Sequence, residues 1–537
     1  MGQKKHFLTP GAQGLLLLFS SMLFFGALSV ALGPVIDWDL KNYHFYNPYA
    51  FLNGRLDFDF GPAQLQNYLN PVLDLPFYLS VHYLGKPVCA GFVMGALHGI
   101  NFWLLYLIGL KLFTFEDGLK RSALSFFAAV VGVLGAGFIA ELGTTLNDNL
   151  VAIFVLGAFL LMLLAFEKED RRAYLCLVFL SGLALGAGVG LKLTLLIYAV
   201  GALIAVLAAS RALGKAAASA VSWGLGIAFG LLLSSGVWMF MLWKRFESPF
   251  FPFFNSIFKS PYFDPVEIGD ARFYPKGAVQ ALFYPFYFAK SNNLVLELHF
   301  RDIRFAVAYV LIVLAAAVLL YDIFRKRAET PAGLDRQSRD KYAFMAVFFV
   351  VSYIVWQVNL PYYRYIVPLE LLSPVLIAVL LSHIVKGRPW FYISVAAAFI
   401  SIISFAKAPD WGRTSWSETL FGLERPPAAI EKGSVVIMAG IRPYSYIIPY
   451  FPENVRFVRV ESNFTAPHKD TKFQAEIREL LKNHNGPAYI LVPFPNILQI
   501  ESTAGKFEMY AVKEECRTFS SIEDQFIICR LGRVFSP

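Results

Sequence analysis

A helix that crosses a membrane needs about 20 consecutive, mostly apolar residues, because it rises only 1.5 Å per residue through a hydrocarbon core of roughly 30 Å. This sequence meets that demand about eleven times, in runs centred on 14–34, 88–110, 122–140, 149–166, 173–190, 193–209, 216–243, 305–321, 342–358, 365–385 and 389–406. In lipid every backbone N–H and C=O must be satisfied inside the segment, so these runs read as α-helices. Only 16% of the 537 residues are charged, against about 25% in an ordinary soluble domain. A soluble globular enzyme is thereby excluded. The formal charge of +9 belongs with loops facing anionic lipid rather than with nucleic acid. The first run follows the basic start Met1–His6 and has no small-residue cleavage site. With further spans behind it, it reads as a signal anchor.

Basic residues predict the orientation. One set of connections carries Lys4, Lys5, Lys111, Lys120, Arg121, Lys168, Arg171, Arg172, Arg211, Lys215, six Lys/Arg from Arg325 to Lys341, Lys386 and Arg388. That is 18 Lys and Arg in about 59 residues, against 13 in about 133 on the other side. By the positive-inside rule the dense set faces the cytoplasm, and eleven spans then leave the C-terminus outside.

Three regions are expected on that outer face. Residues 35–87 form a Trp-, Tyr- and Asn-rich loop with a short apolar stretch near 72–84. Residues 244–304 are crowded with Pro, Phe and Tyr, as in Ser248–Asn255 and Phe283–Phe288, and suit a membrane interface. Residues 407–537 have ordinary polarity, with strand-like stretches at 433–440, 488–493 and 525–530 and a helical one at 469–483. The expected organisation is therefore an α-helical polytopic membrane domain, 1–406, followed by a small α/β domain, 407–537. Cys89 and Cys176 lie in apolar runs. Cys516 and Cys529 stand in the polar tail and can form a disulfide if that tail meets an oxidising compartment. The sequence has no nucleotide-binding glycine loop, zinc-ligand spacing or Ser-His-Asp constellation.

Charged residues near a membrane are functional suspects, and here the acidic ones collect at the outer ends of helices. Directly after the first run come Asp37 and Asp39, followed by Tyr43 and His44. Two carboxylates two residues apart suit a general base or a divalent-cation site; a capping role for one of them is the competing reading. Glu141 and Asp148 fall in the next outer connection, where Asp148 or Asn147 also suits a helix N-cap. Lys192 interrupts a glycine-rich run, and Arg301, Arg304 and Arg364 sit at other outer helix ends. Such cations can bind a lipid-linked phosphate, Arg through its bidentate fork, or they can simply snorkel. Carboxylates on one side and cations on another suit transfer of a sugar from a lipid phosphate to a hydroxyl. The hydroxyl needs a base, and the leaving phosphate needs only charge stabilisation.

With these features the sequence resembles the membrane-integral GT-C glycosyltransferases, which use polyprenyl-phosphate-linked sugars. Five places carry the resemblance: the acidic first loop with Asp37 and Asp39, Thr145–Asn149 opening a span, Gly182–Thr194 with its Lys192, Arg245–Asn255, and Tyr363-Arg-Tyr-Ile-Val-Pro368. Two positions depart from the family pattern: the first loop has Asp-Trp-Asp in place of an adjacent acidic pair, and Glu247-Ser248-Pro249 lacks the usual glycine. The resemblance implies Asp39 as base with Asp37 as alternative, and Asp148 as an orienting group or metal ligand. It implies a phosphate clamp of Lys192, Arg301, Arg304 and Arg364, with Tyr43, His44, Glu141 and Tyr365 lining the substrate site. It further implies an inverting transfer at the outer face of a bacterial inner membrane, to a glycan, lipid or protein acceptor. No obligatory metal is implied, although relatives differ in their use of a divalent cation such as Mg or Mn. A lipid-linked oligosaccharide ligase or polymerase is one rival; a transporter or flippase is another. A transporter is expected to carry mid-bilayer ionisable groups and internal repeats, neither of which is evident.

Overall fold

The computed structural model describes residues 10–210, 213–290, 292–324, 336–423 and 430–534. Apart from 122–140, which is divided, each apolar run corresponds to one helix: α1 Pro10–Leu32, α2 Pro87–Leu112, α3 Gly118–Val133, α4 Asp148–Ala165, α5 Arg171–Leu191, α6 Leu196–Ala209, α7 Leu213–Phe246, α8 Arg304–Phe324, α9 Arg336–Asn359, α10 Val367–Ile384 and α11 Arg388–Phe405. Among the described residues, nine are long and apolar enough to cross a membrane; α3 and α6 are the shorter ones. Of the basic residues used for sidedness, Lys4, Lys5, Arg211 and those from 325 to 327 lie outside the described residues.

The chain divides by contact into two units. One comprises the segment ending at Leu32, Phe92–Gly236 and Gly269–Trp411; the other comprises Gly33–Gly91, Val237–Ile268 and the segment from Gly412. Residues 33–91 and 237–268, read from sequence as parts of the membrane domain, thus group with the C-terminal segment.

In the helical unit, the run expected at 122–140 is broken. Helix α3 ends at Val133 and a short helix, Ala136–Ala140, follows Gly135. A side chain at Gly135 would collide with the Glu370 carboxylate. The freed N–H groups of Gly137 and Phe138 donate to that carboxylate, each at 2.9 Å, so the irregular backbone is satisfied inside the protein. Helices α5 and α7 meet along a glycine seam: a Cβ added at Gly182, Gly186, Gly226 or Gly230 would strike backbone of the facing helix. Small residues permit this close approach where lipid offers helices no hydrophobic drive to associate. The glycine run that ends in Lys192 is therefore a packing surface.

The other unit is built on a six-stranded sheet of β1 Val435–Met438, β2 Arg456–Arg459, β3 Ala488–Pro493, β4 Met509–Ala511, β5 Arg517–Ser520 and β6 Gln525–Arg533. The order is β2-β1-β3-β6-β4, with β5 also paired to β6. Strand β1 runs parallel to both β2 and β3; the pairs with β6 are antiparallel. Every residue of β1 and β3 is buried, which suits a sheet covered on both faces. Helix α12, Lys472–Asn483, packs Phe473, Ile477 and Leu481 into the core with Val435, Ile437, Val458 and Ile490. The three expected strands and the helix are present, whereas β2, β4 and β5 were not anticipated. Cys516 and Cys529 are disulfide-bonded.

The aromatic stretches are less interfacial than expected. Phe251 is buried and stacks on Phe246, their ring centroids 4.2 Å apart. In the helical unit, Tyr284 and Phe288 are fully buried, Phe288 against Tyr363, while Phe283 and Tyr287 remain exposed. Aromatic area this large goes first into filling a core.

Candidate functional site

Helix α4 begins at Asp148 because Asn147 adopts φ 68°, a left-handed conformation that Asn tolerates. The turn exposes the Leu146 carbonyl beside the new helix end. Lys192, just past α5, places its Nζ 2.5 Å from Asp148 Oδ1 and 3.1 Å from that carbonyl. Arg364, three residues ahead of α10, donates Nε to Asp148 Oδ2 at 3.0 Å, and its Nη2 reaches the same carbonyl at 3.5 Å. Asp148 therefore accepts a charge-assisted hydrogen bond on each oxygen. Glu141 lies 3.6 Å from Arg364 Nε and is buried. Burial first, and then the Asp148 charge, push its carboxyl well above the usual range, against the pull of Arg364 and Lys192. Of the two carboxylates, Asp148 is the one hydrogen-bonded by both cations, while Glu141 holds its proton more tightly than a free carboxyl does. Arg364 also lies over the rings of Tyr362 and Trp411, at 5.6 and 5.7 Å, and Lys192 over that of Tyr365 at 5.6 Å. Sequence reasoning thus brought Glu141, Asp148, Lys192, Arg364 and Tyr365 to one place. It missed Trp411, which stands just beyond the last apolar run with no motif to mark it.

The other two expected clamp residues lie elsewhere. Arg304 is fully buried; its Nε donates to Asp302 at 2.8 Å and its Nη1 to the Glu370 carbonyl at 3.0 Å. Tyr363 O–H donates to the Glu370 carboxylate at 2.7 Å. This guanidinium compensates buried carboxylates inside the bundle and does not join Lys192 and Arg364. Arg301 is a partly exposed side chain that donates Nε to the Phe405 carbonyl at 2.7 Å and lies over the Phe405 ring. The four-cation clamp is corrected to a pair. Adjacent residues divide the work: Tyr363 ties the chain to Glu370 while Arg364 reaches Asp148.

At the opposite end of α4, Glu167 meets Lys111 and Lys341, each at 2.8 Å. Burial pushes this carboxyl up, but the two lysines outweigh it and hold it below its ordinary range.

In the other unit, Asp37 Oδ1 accepts the N–H of Leu40 at 2.7 Å, fastening the turn that leads into residues 40–44. Asp39 is half-buried, and its carboxylate caps no helical N–H. The capping role expected of one member of the pair thus falls to Asp37. His44 Nδ1 lies 2.6 Å from Asp74 Oδ1, with both groups buried; Nε2 has no hydrogen-bond partner among the described residues. The Tyr43 ring packs on the His44 imidazole at 4.0 Å. Asp74 was not singled out from sequence, where nothing marks it as the partner of a histidine 30 residues away.

No protein-family model and no curated protein matches this sequence. Among solved structures, the crystal structure of ArnT from Cupriavidus metallidurans bound to undecaprenyl phosphate matches with a TM-score of 0.52 and 12% identity, covering 96% of this chain and 97% of that one. The apo form of the same protein matches with a TM-score of 0.51 and 13% identity, over 97% and 98% of the two chains. The likeness spans both chains almost end to end. It shows that the fold is the GT-C fold implied by the sequence motifs.

Proposed function

We propose that the protein is a membrane glycosyltransferase that moves a sugar from a polyprenyl-phosphate carrier to an envelope glycan, lipid or protein acceptor. The observation that carries this reading is the convergence of Lys192 and Arg364 on Asp148, in a chain with the fold of a protein crystallised with undecaprenyl phosphate. Two cations gathered at the ends of apolar helices suit a lipid phosphate. In the proposed step the acceptor oxygen attacks the anomeric carbon as the bond to the phosphate oxygen breaks. The electron pair leaves with the polyprenyl phosphate, whose charge Lys192 and Arg364 stabilise. The acceptor proton passes to Asp39, with Asp37 as the alternative. Direct attack inverts the anomeric configuration.

Asp148 acts as a positioning residue, since both its oxygens are engaged by cations. The reading places charge stabilisation on side chains, so turnover is expected to survive EDTA. It also places the N-terminus in the cytoplasm and the C-terminal unit in the periplasm of a bacterial inner membrane. The test compares envelope glycans by mass spectrometry in a null strain complemented with wild type or Asp39→Asn at matched membrane levels. Wild type should restore a sugar that Asp39→Asn does not. Identical glycans in the null and wild-type strains would overturn the transferase reading and bring transport forward.

A further inference from the structure

Strand β1 has β2 on one side and β3 on the other, both parallel to it. The chain therefore changes direction across the sheet at β1, and ligands of open α/β sheets bind beyond the carboxyl ends of the strands at such a point. A cleft of about 560 Å³ lies there, lined by the segments that follow all three strands. Its size falls within the usual range for small-molecule sites, about 300–1,000 Å³.

The cleft is held in shape from below. Arg459, the last residue of β2, is fully buried and donates Nη1 to the carbonyls of Gly440 at 2.7 Å and Arg442 at 3.2 Å. Gly440 takes φ 88°, which favours glycine, and turns the chain out of β1. On the far wall Glu461 accepts Lys506 Nζ at 2.5 Å and Gln499 Nε2 at 3.1 Å. Burial raises this carboxyl, but these partners outweigh it and hold it below its ordinary range, so it stays ionised at neutral pH. The side chains of Arg442 and Asn496 line the same cleft and have no hydrogen-bond or ion-pair partner among the described residues. The cleft thus combines an open guanidinium, an open amide, and a carboxylate already neutralised by Lys506. Among the described residues no Phe, Tyr or Trp lines it, and His468 is its one aromatic ring, so it has no pair of rings to sandwich a nucleobase.

We propose that this cleft binds an acidic saccharide, one bearing a phosphate or carboxylate. Arg442 takes the anionic group, while Asn496 and Glu461 hydrogen-bond the sugar hydroxyls. As a binding site it stands on the cavity and its lining; its role as an acceptor subsite rests on the transferase reading above. The test measures binding alone, so it is separate from turnover. Full-length protein in lipid nanodiscs is titrated with glucose 1-phosphate, glucuronic acid, glucose and inorganic phosphate, read by saturation-transfer difference NMR. The two acidic sugars should bind at least about tenfold more tightly than glucose or inorganic phosphate, as expected when one guanidinium–anion contact is added to hydroxyl recognition. Arg442→Ala, an exposed site where folding is undisturbed, should abolish that preference. Glu461→Gln should weaken the acidic sugars while leaving inorganic phosphate unchanged. Binding of inorganic phosphate as tight as that of the acidic sugars, no effect of Arg442→Ala, or no binding by any probe would each overturn the proposal.

Discussion

Two arginines four helix-ends apart in sequence have opposite duties. Arg304 compensates Asp302 and the groups around Glu370 with no exposed surface, so Arg304→Ala strands buried carboxylates and should cost about 3–5 kcal/mol, read as a large loss of thermal stability in detergent. Arg364→Ala leaves Asp148 with Lys192 as a remaining partner, so it should lower thermal stability less than Arg304→Ala does while reducing undecaprenyl-phosphate affinity roughly tenfold to a hundredfold, the value of one charge-assisted contact, measured by calorimetry. Glu141 supplies the pH dependence. The folded protein keeps its proton to higher pH than the unfolded chain does. Its contribution to stability is therefore fully present below the unfolded value of about 4.3, and is lost as pH rises through the folded one. As Glu141 ionises over that rise the cluster gains a negative charge, so wild-type affinity for the lipid phosphate should fall on the alkaline side while Glu141→Gln stays flat. Equal pH profiles would remove Glu141 from the site. Sequence placed Arg301, Arg304 and Arg364 at helix ends but carried no information on the direction in which each side chain points, and that direction sends Arg304 to Asp302 and Arg364 to Asp148.

Among the elements, the apolar runs were legible because length and hydropathy alone decide them in lipid. Strands β2, β4 and β5 were not, since three or four residues such as Arg-Phe-Val-Arg at 456–459 give too short an alternation to read. The glycine-rich run at 182–190 was recognised as a motif, yet its physical cause, contact with α7, needed the fold. That contact yields a prediction: Gly186→Leu forces α5 from α7 at a point where backbone already fills the space. Because Lys192 follows the same helix, the variant should lose lipid-phosphate binding along with thermal stability, whereas Gly224→Leu, with open space around it, should change neither by much. Matched melting temperatures for the two variants would refute the seam.

For the whole molecule, pairing Cys516 with Cys529 couples stability to compartment. Replacing both by Ser should lower the stability of the C-terminal unit by about 2–4 kcal/mol, and maleimide labelling of intact cells should detect those thiols only after reduction. Labelling without reductant would contradict the proposed sidedness. A last consequence comes from α4, whose 18 residues separate the Asp148 cluster at one end from the Glu167 cluster at the other. At 1.5 Å per residue that is about 27 Å, slightly less than the hydrocarbon thickness of a typical bilayer. Most of α4 is buried among its neighbours, so it works as an internal strut: with both ends tied to ion pairs it holds the two charged clusters a fixed distance apart, and the helices packed around it inherit that spacing.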